Sequence, residues 1–177
     1  MTLHKVFVYG TLKSGEPNHQ KLIEDTGSYR KLICLAKTST KYPLIIASQY
    51  NIPFMLYEPG MGNNVEGELY EVDDKVLKAL DELEDHPNFY IREQNEVISL
   101  EDSTVHTAWI YFIKSFRKEL LEKQMLKNYS NNGSFPKYVT RYLRLGVNFK
   151  KDEILCTTQS FVSSEEAGPD DLNNLES

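Results

Sequence analysis

Cysteine is nearly absent from this chain of 177 residues: Cys34 and Cys156 lie far apart, and neither stands in a CxxC or in a Cys/His pair with ligand spacing. A structural disulfide and a zinc centre are therefore not expected. Positive charge is also short. Twenty Lys and Arg against 26 Asp and Glu leave a formal charge of −6 and an isoelectric point near 5.3, the wrong sign for a surface that grips phosphates, so nucleic acid is not an expected partner. Long apolar runs are missing too. The opening MTLHKVFVYGTLK offers only a short strand-like stretch before Gly10, too little for a signal peptide's apolar core or a membrane span, which points to a cytosolic protein without a membrane partner. The sequons Asn128-Tyr129-Ser130 and Asn132-Gly133-Ser134 then read as ordinary loop residues.

Apolar material is ample. Hydrophobic residues make up 40% of the chain and aromatics 11%, with eleven Tyr and eight Phe, enough for a packed interior. The length fits one core. That core is expected within residues 1–156, followed by an acidic disordered tail over 157–177, which contains no Lys or Arg and almost nothing apolar.

The run HKVFVY predicts a buried strand ending at Gly10, RKLICLAK a second, and LIIA a short third between Pro43 and Pro53. PNHQKLIEDT reads as a polar helix or coil. NVEGELYEV is strand-like with mixed faces: Val65, Gly67, Leu69 and Glu71 against Glu66, Glu68, Tyr70 and Val72. FYIREQNEVISL and TVHTAWIYFI, separated by the polar turn EDS, read as a hairpin. FRKELLEKQMLKNYS has helical spacing at Leu120, Leu121 and Met125, and NNGSFPK leads from it into VTRYLRLGVNF. No fixed-period repeat occurs. Many short strands with two or three helices argue for α+β, with the sheet curled into a small barrel.

The best-defined helix runs from Asp73 to Asp85. Asp73 suits the N-cap, acidic residues fill the first turn and Pro87 blocks continuation. Val76, Leu77, Ala79, Leu80 and Leu83 form its apolar stripe, and at about 100° per residue Glu84 falls on that stripe between Leu80 and Leu77. Asp81, Glu82 and Asp85 fall on or toward the polar side, so neutralising Asp81 or Glu82 is expected to change little. Periodicity alone leaves two readings of Glu84. Either the helix frays near Pro87 and the carboxylate turns to solvent, or it stays inward, where desolvation raises a carboxyl pKa from ~4.3 toward neutrality and suits a proton shuttle.

A second feature lies in VFVYGTLKSGEPNHQ, where a strand breaks into Tyr9-Gly10-Thr11-Leu12. A glycine there lets the backbone approach a ligand, and successive N–H groups can hold an oxyanion or a carboxylate.

Together these segments resemble the γ-glutamylamine cyclotransferase group of the γ-glutamylcyclotransferase-like family. FVYGTLK with Pro17-Asn18-His19, then YPLIIASQYNIPF, VEGELYEVD, and LDELEDHP with Tyr90 and Arg92 stand in the family's order and spacing, over roughly residues 5 to 113; Tyr129 to Gly133 and RYLR echo its end. For the insert FRKELLEKQMLK and the acidic tail the resemblance implies no role. The resemblance implies a small mixed β-barrel with flanking helices, a catalytic Glu84, and a pocket for a small-molecule γ-glutamyl amide lined by Tyr9, Gly10, Thr11 and Leu12. The implied reaction turns γ-glutamyl amines such as γ-glutamyl-ε-lysine into 5-oxoproline and free amine. Because the substrate's own α-amino group attacks, neither a protein nucleophile nor a metal or cofactor is called for.

Two rivals remain: a γ-glutamylcyclotransferase acting on γ-glutamyl amino acids, and a non-catalytic binding protein of the same fold using its acidic tail as an arm. His4, His19, His86 and His106 share no ligand spacing and read as structural, and Glu82, Glu84, Asp85 and His86 lack the Gly-centred pattern of a calcium loop. Tyr90, Arg92 and Tyr111 fall on predicted strands as candidates for the pocket wall, Arg92 with a fork suited to a carboxylate.

Overall fold

A computed structural model describes residues 2–23, 27–133, 137–139 and 151–156. Within these, β1 (Leu3–Val8) pairs antiparallel with β5 (Glu66–Asp73), β5 with β2 (Arg30–Thr38), β2 with β6 (Ile91–Ser99), and β6 with β7 (Val105–Phe112). A parallel contact between Val6 and Trp109 closes β7 onto β1, giving a mixed five-stranded barrel. Helix α1 (His19–Ile23) follows β1, and helix α2 (Asp74–Leu83) follows β5. The expected fold class is the one the chain adopts.

Side-chain alternation explains the layering. On β1, Phe7 joins Ala36, Leu69, Val97, Ala108 and Ile110 in a set drawn from all five strands, which fills the barrel. Val6 and Val8 face the other way, toward Val72 and helix α2. Where β5 crosses β1 the backbones come so close that a Cβ on Gly67 would lie 2.3 Å from the Val8 carbonyl oxygen. No residue with a side chain fits there.

Helix α2 starts as its sequence says. The Asp73 carboxylate accepts the Val76 N–H at 2.9 Å, a cap worth ~1 kcal/mol. Val76, Leu77 and Leu80 are buried against the barrel, each contributing about 1.5–3 kcal/mol. Ala79 departs from the expected stripe and is exposed.

Two segments differ from the sequence reading. The chain after β3 (Leu44–Ala47) folds back as β4 (Ile52–Met55), which contains Pro53 and pairs with β3 in a two-stranded sheet. A two-stranded hairpin leaves each strand an edge, where a proline's missing N–H is tolerated. The stretch with helical spacing makes only a 3₁₀ turn, Lys118–Glu122. Beyond it the Leu126 N–H donates to the Leu44 carbonyl at 2.7 Å and the Asn63 side chain to the Met125 carbonyl at 3.2 Å. These tertiary bonds compete with the i→i−4 ladder. Most of VTRYLRLGVNF and the tail 157–177 lie outside the described residues. Among the described residues, no helix is long and apolar enough to cross a membrane.

Candidate active site

A cavity of about 320 Å³ opens where β1 runs out, within the range of small-molecule sites. The turn Tyr9, Gly10, Thr11 and Leu12 forms one side of it, and Glu84 with the end of α2 another. Pro53 and Phe54 of β4, Tyr90 just before β6, and Tyr111 of β7 complete the inner wall. All five site residues expected from the sequence therefore border one space.

The turn is arranged as a donor cradle. Its carbonyls are engaged inside the protein: Gly10 accepts from Lys13 N–H at 3.1 Å, Thr11 from Asn18 N–H at 2.8 Å, and Leu12 pairs with His19 Nδ1 at 2.9 Å. Asn18 also donates to the Thr11 hydroxyl at 2.9 Å. Among the described residues, the N–H groups of Gly10, Thr11 and Leu12 have no acceptor. Three consecutive donors beside a cavity suit an oxyanion or carboxylate. A Cβ at Gly10 would also sit 3.0 Å from Pro53 Cγ, a contact that only a shift of a few tenths of an ångström relieves.

Buried anchors behind the turn hold it in place. Lys13 is only 8% exposed and donates to Asn128 Oδ1 at 2.6 Å and the Tyr129 carbonyl at 2.5 Å. Burial pulls the Lys13 pKa down, against the opposing pull of Glu16, Glu68 and Glu66. Next to it, the buried Glu68 carboxylate accepts the Ser14 N–H and the hydroxyls of Ser14 (2.9 Å) and Tyr70 (3.1 Å). Sequence reasoning passed over both residues. The signal for Glu68 was present: it shares a strand face with Tyr70 and Val72.

Glu84 is the C-cap of α2 rather than part of its body. Its backbone stays near helical values (φ −87°, ψ 0°) and its N–H donates to the Leu80 carbonyl at 2.9 Å. Helical phase thus persists one residue past Leu83, which carries Glu84 to the cavity wall at intermediate exposure. Asp85 then turns left-handed (φ 51°) and ends the helix, the reversal usual at a helix C-terminus. Three tyrosine hydroxyls around the cavity feel the Glu84 charge. Burial raises the pKa of Tyr9, with the Glu84 charge adding to it against the Met55 N–H. Burial also raises Tyr90, helped by Tyr9 and Glu84. For Tyr111 burial comes first, then the hydrogen bond to Asp81, with Glu84 adding to the rise against Arg92.

Asp81 corrects the sequence reading. Helical phase puts it on or toward the polar side, yet its carboxylate takes Arg92 Nε at 2.8 Å and Nη2 at 3.2 Å on its two oxygens and the Tyr111 hydroxyl at 2.7 Å. Burial raises its pKa, but the bonds from Arg92 and Tyr111 outweigh that and hold it below the ordinary carboxylate value. The Arg92 fork is thereby used within the protein, stacked 4.2 Å from the Trp109 ring. Of the candidates for the pocket wall, Tyr90 and Tyr111 line the cavity. The histidines scatter to separate partners: His4 to Asp74, His106 to Lys5, His19 to Leu12, and His86, whose Nδ1 accepts the Arg92 N–H at 3.2 Å.

Residues 6–131 match the family described as gamma-glutamyl cyclotransferase, AIG2-like. This chain belongs to that family. Gamma-glutamylaminecyclotransferase C of Danio rerio is 39% identical over 137 residues, 75% of this chain and 90% of its own. Troponin C-akin-1 protein of Drosophila melanogaster is 39% identical over 159 residues, 89% of this chain and 94% of its own. The crystal structure of an AIG2-like protein from Mus musculus is 34% identical with a TM-score of 0.76, covering 80% of this chain and 98% of that one. Tyr138 and Lys151, which also line the cavity, lie beyond the span that the cyclotransferase family matches.

Proposed function

We propose that this chain is a γ-glutamylamine cyclotransferase that converts γ-glutamyl amines such as γ-glutamyl-ε-lysine to 5-oxoproline and free amine, with Glu84 as general acid/base. The observation that carries this reading is the meeting of Glu84 and the donor turn Tyr9–Leu12 on one cavity. The relatives named for the same activity support it.

In this mechanism the substrate's α-nitrogen attacks its own γ-carbonyl carbon. Glu84 first takes a proton from the α-ammonium, whose reference pKa is ~7.7–8.0. The new C–N bond closes a five-membered ring, and the carbonyl oxygen becomes an oxyanion that N–H groups of the turn at Gly10 to Leu12 stabilise. Glu84 then returns the proton to the departing nitrogen as the old C–N bond breaks. That step is needed because an alkylamine of pKa ~10.4 is a poor leaving group as an anion. The attacking nitrogen sheds two protons in all, one before attack and one as it becomes the lactam N–H, and both end on the released amine, which departs as its ammonium, so Glu84 ends as it began. Confining the chain in a near-attack shape supplies up to ~7–11 kcal/mol in well-oriented intramolecular reactions. The product is that of a lyase-type ring closure, and the reaction as written calls for no cofactor.

Purified protein incubated with γ-glutamyl-ε-lysine, γ-glutamyl-alanine and glutathione, with 5-oxoproline measured, tests this reading. Release from γ-glutamyl-ε-lysine above the other two is expected. Preference for γ-glutamyl-alanine moves the assignment to the amino-acid cyclotransferases, and no release from any substrate contradicts catalysis.

A further inference from the structure

A tyrosine hydroxyl carries a single hydrogen, so its first donor bond decides what the oxygen can offer to anything else. On the cavity wall the Tyr111 hydrogen is already committed. It is given to Asp81 Oδ1 at 2.7 Å, and Arg92 binds both oxygens of the same carboxylate, at 2.8 and 3.2 Å. A carboxylate held ionised by Arg92 is acceptor-only, so the Tyr111–Asp81 bond runs in one direction. The Tyr9 hydrogen is committed likewise, to the Tyr111 carbonyl at 2.6 Å. Both rings border the cavity together with Glu84. What this side of the cavity presents is oxygen lone pairs and a carboxylate. The turn on the opposite chemical footing offers N–H groups. A ligand with one cationic and one anionic end matches that division.

We propose that Asp81 is a positioning residue that fixes Tyr111 as a hydrogen-bond acceptor, and that the Tyr111 oxygen together with Glu84 receives the α-ammonium group of the substrate. This rests on the cyclotransferase reading and names the part of the substrate that the Tyr111 wall recognises. Two consequences follow from the direction of that bond. An ammonium, which has only donors, meets an oxygen with its lone pairs available. The Tyr111 hydrogen is also kept away from Glu84, where it would otherwise compete with the ammonium for the lone pairs of the carboxylate. In Asp81→Asn the amide can donate to Tyr111, which reverses the bond and turns the hydroxyl hydrogen loose toward the cavity.

Binding of L-glutamate and of glutarate separates this from a structural role, because the two carry the same carboxylates and differ in the ammonium. Their affinities are measured by NMR titration for the parent, Asp81→Asn, Tyr111→Phe and the double variant, with melting temperatures and with kcat and KM on γ-glutamyl-ε-lysine. The parent is expected to prefer L-glutamate. Asp81→Asn and Tyr111→Phe should each lose about 10-fold or more of that preference, the scale of one hydrogen bond to a charged group, with glutarate affinity unchanged. The double variant should be no worse than Tyr111→Phe, since Asp81 acts through that hydroxyl. A preference retained in both single variants overturns the proposal. So does equal weakening of both ligands alongside a lower melting temperature, the mark of a merely structural residue. A parent that prefers L-glutamate but releases no 5-oxoproline from any γ-glutamyl amide overturns the cyclotransferase reading and leaves the ammonium site standing.

Discussion

The hydroxyl of Tyr9 donates to the main-chain carbonyl of Tyr111 over 2.6 Å, joining the end of β1 to β7 inside the cavity wall. Tyr9→Phe keeps the ring and removes the donor. The buried carbonyl then loses a partner, at a cost of ~1–3 kcal/mol. A melting temperature lower by several degrees is expected, with kcat/KM on γ-glutamyl-ε-lysine reduced because the donor turn begins at Tyr9. An unchanged melting temperature in calorimetry would show that this bond does not hold the turn.

Gly10 and Pro53 are in contact range, with 3.0 Å between an added Cβ and the proline ring. Gly10→Ala therefore pushes the turn and the β3–β4 hairpin apart by a few tenths of an ångström. Overpacking of this kind costs ~1–3 kcal/mol. Its larger effect should be on catalysis, where small misplacements are amplified. A fall in kcat/KM of about tenfold or more is expected, and near-normal kinetics would mean the turn is not the oxyanion cradle.

Asp81 gives a stability prediction with a defined sign. Its folded pKa lies below the ordinary value, since the bonds from Arg92 and Tyr111 outweigh the burial that raises it. The contribution is therefore complete above the unfolded pKa of ~3.9 and is lost as pH falls through the lower folded value. Asp81→Asn should melt below the parent at pH 7, and the gap should narrow as the pH falls below about 4. Thermal scans from pH 7 to pH 2.5 check this. A gap that stays constant across that range contradicts the pairing as the source of stability.

Local chemistry made most of the barrel legible. The apolar runs of β1 and β7 and the alternation of β6 are bounded by Gly10 and by the EDS turn, so their ends could be read directly. Helix α2 declared itself through Asp73 and the spacing of Val76, Leu77 and Leu80. Tertiary bonds hid the rest. In the sequence Pro53 reads as the boundary of the LIIA strand, and only the fold shows that it lies inside β4, in a two-stranded hairpin that tolerates it. Leu120 and Leu126 are both buried although the segment is not a continuous helix, because Leu44 and Asn63 take its backbone groups.

The site was legible in its two halves and not in what supports them. Glu84 stood out because a carboxylate on an apolar stripe is costly unless it has a use. Asp81 looked ordinary on the same helix, since its partners Arg92 and Tyr111 come from strands 11 and 30 residues further on. No periodicity encodes that meeting. The expectation that neutralising Asp81 changes little is accordingly reversed, while Glu82, exposed at the rim, keeps it.

The most direct measurement of the central claim is turnover and binding by Glu84→Gln on γ-glutamyl-ε-lysine. The amide preserves volume and polarity but shuttles no proton. Loss of a general acid/base costs ~10²–10⁴ in rate, and one group serving both transfers places the expected loss at the upper end, with substrate affinity largely kept. Release of 5-oxoproline by Glu84→Gln at a rate near that of the parent would contradict the account.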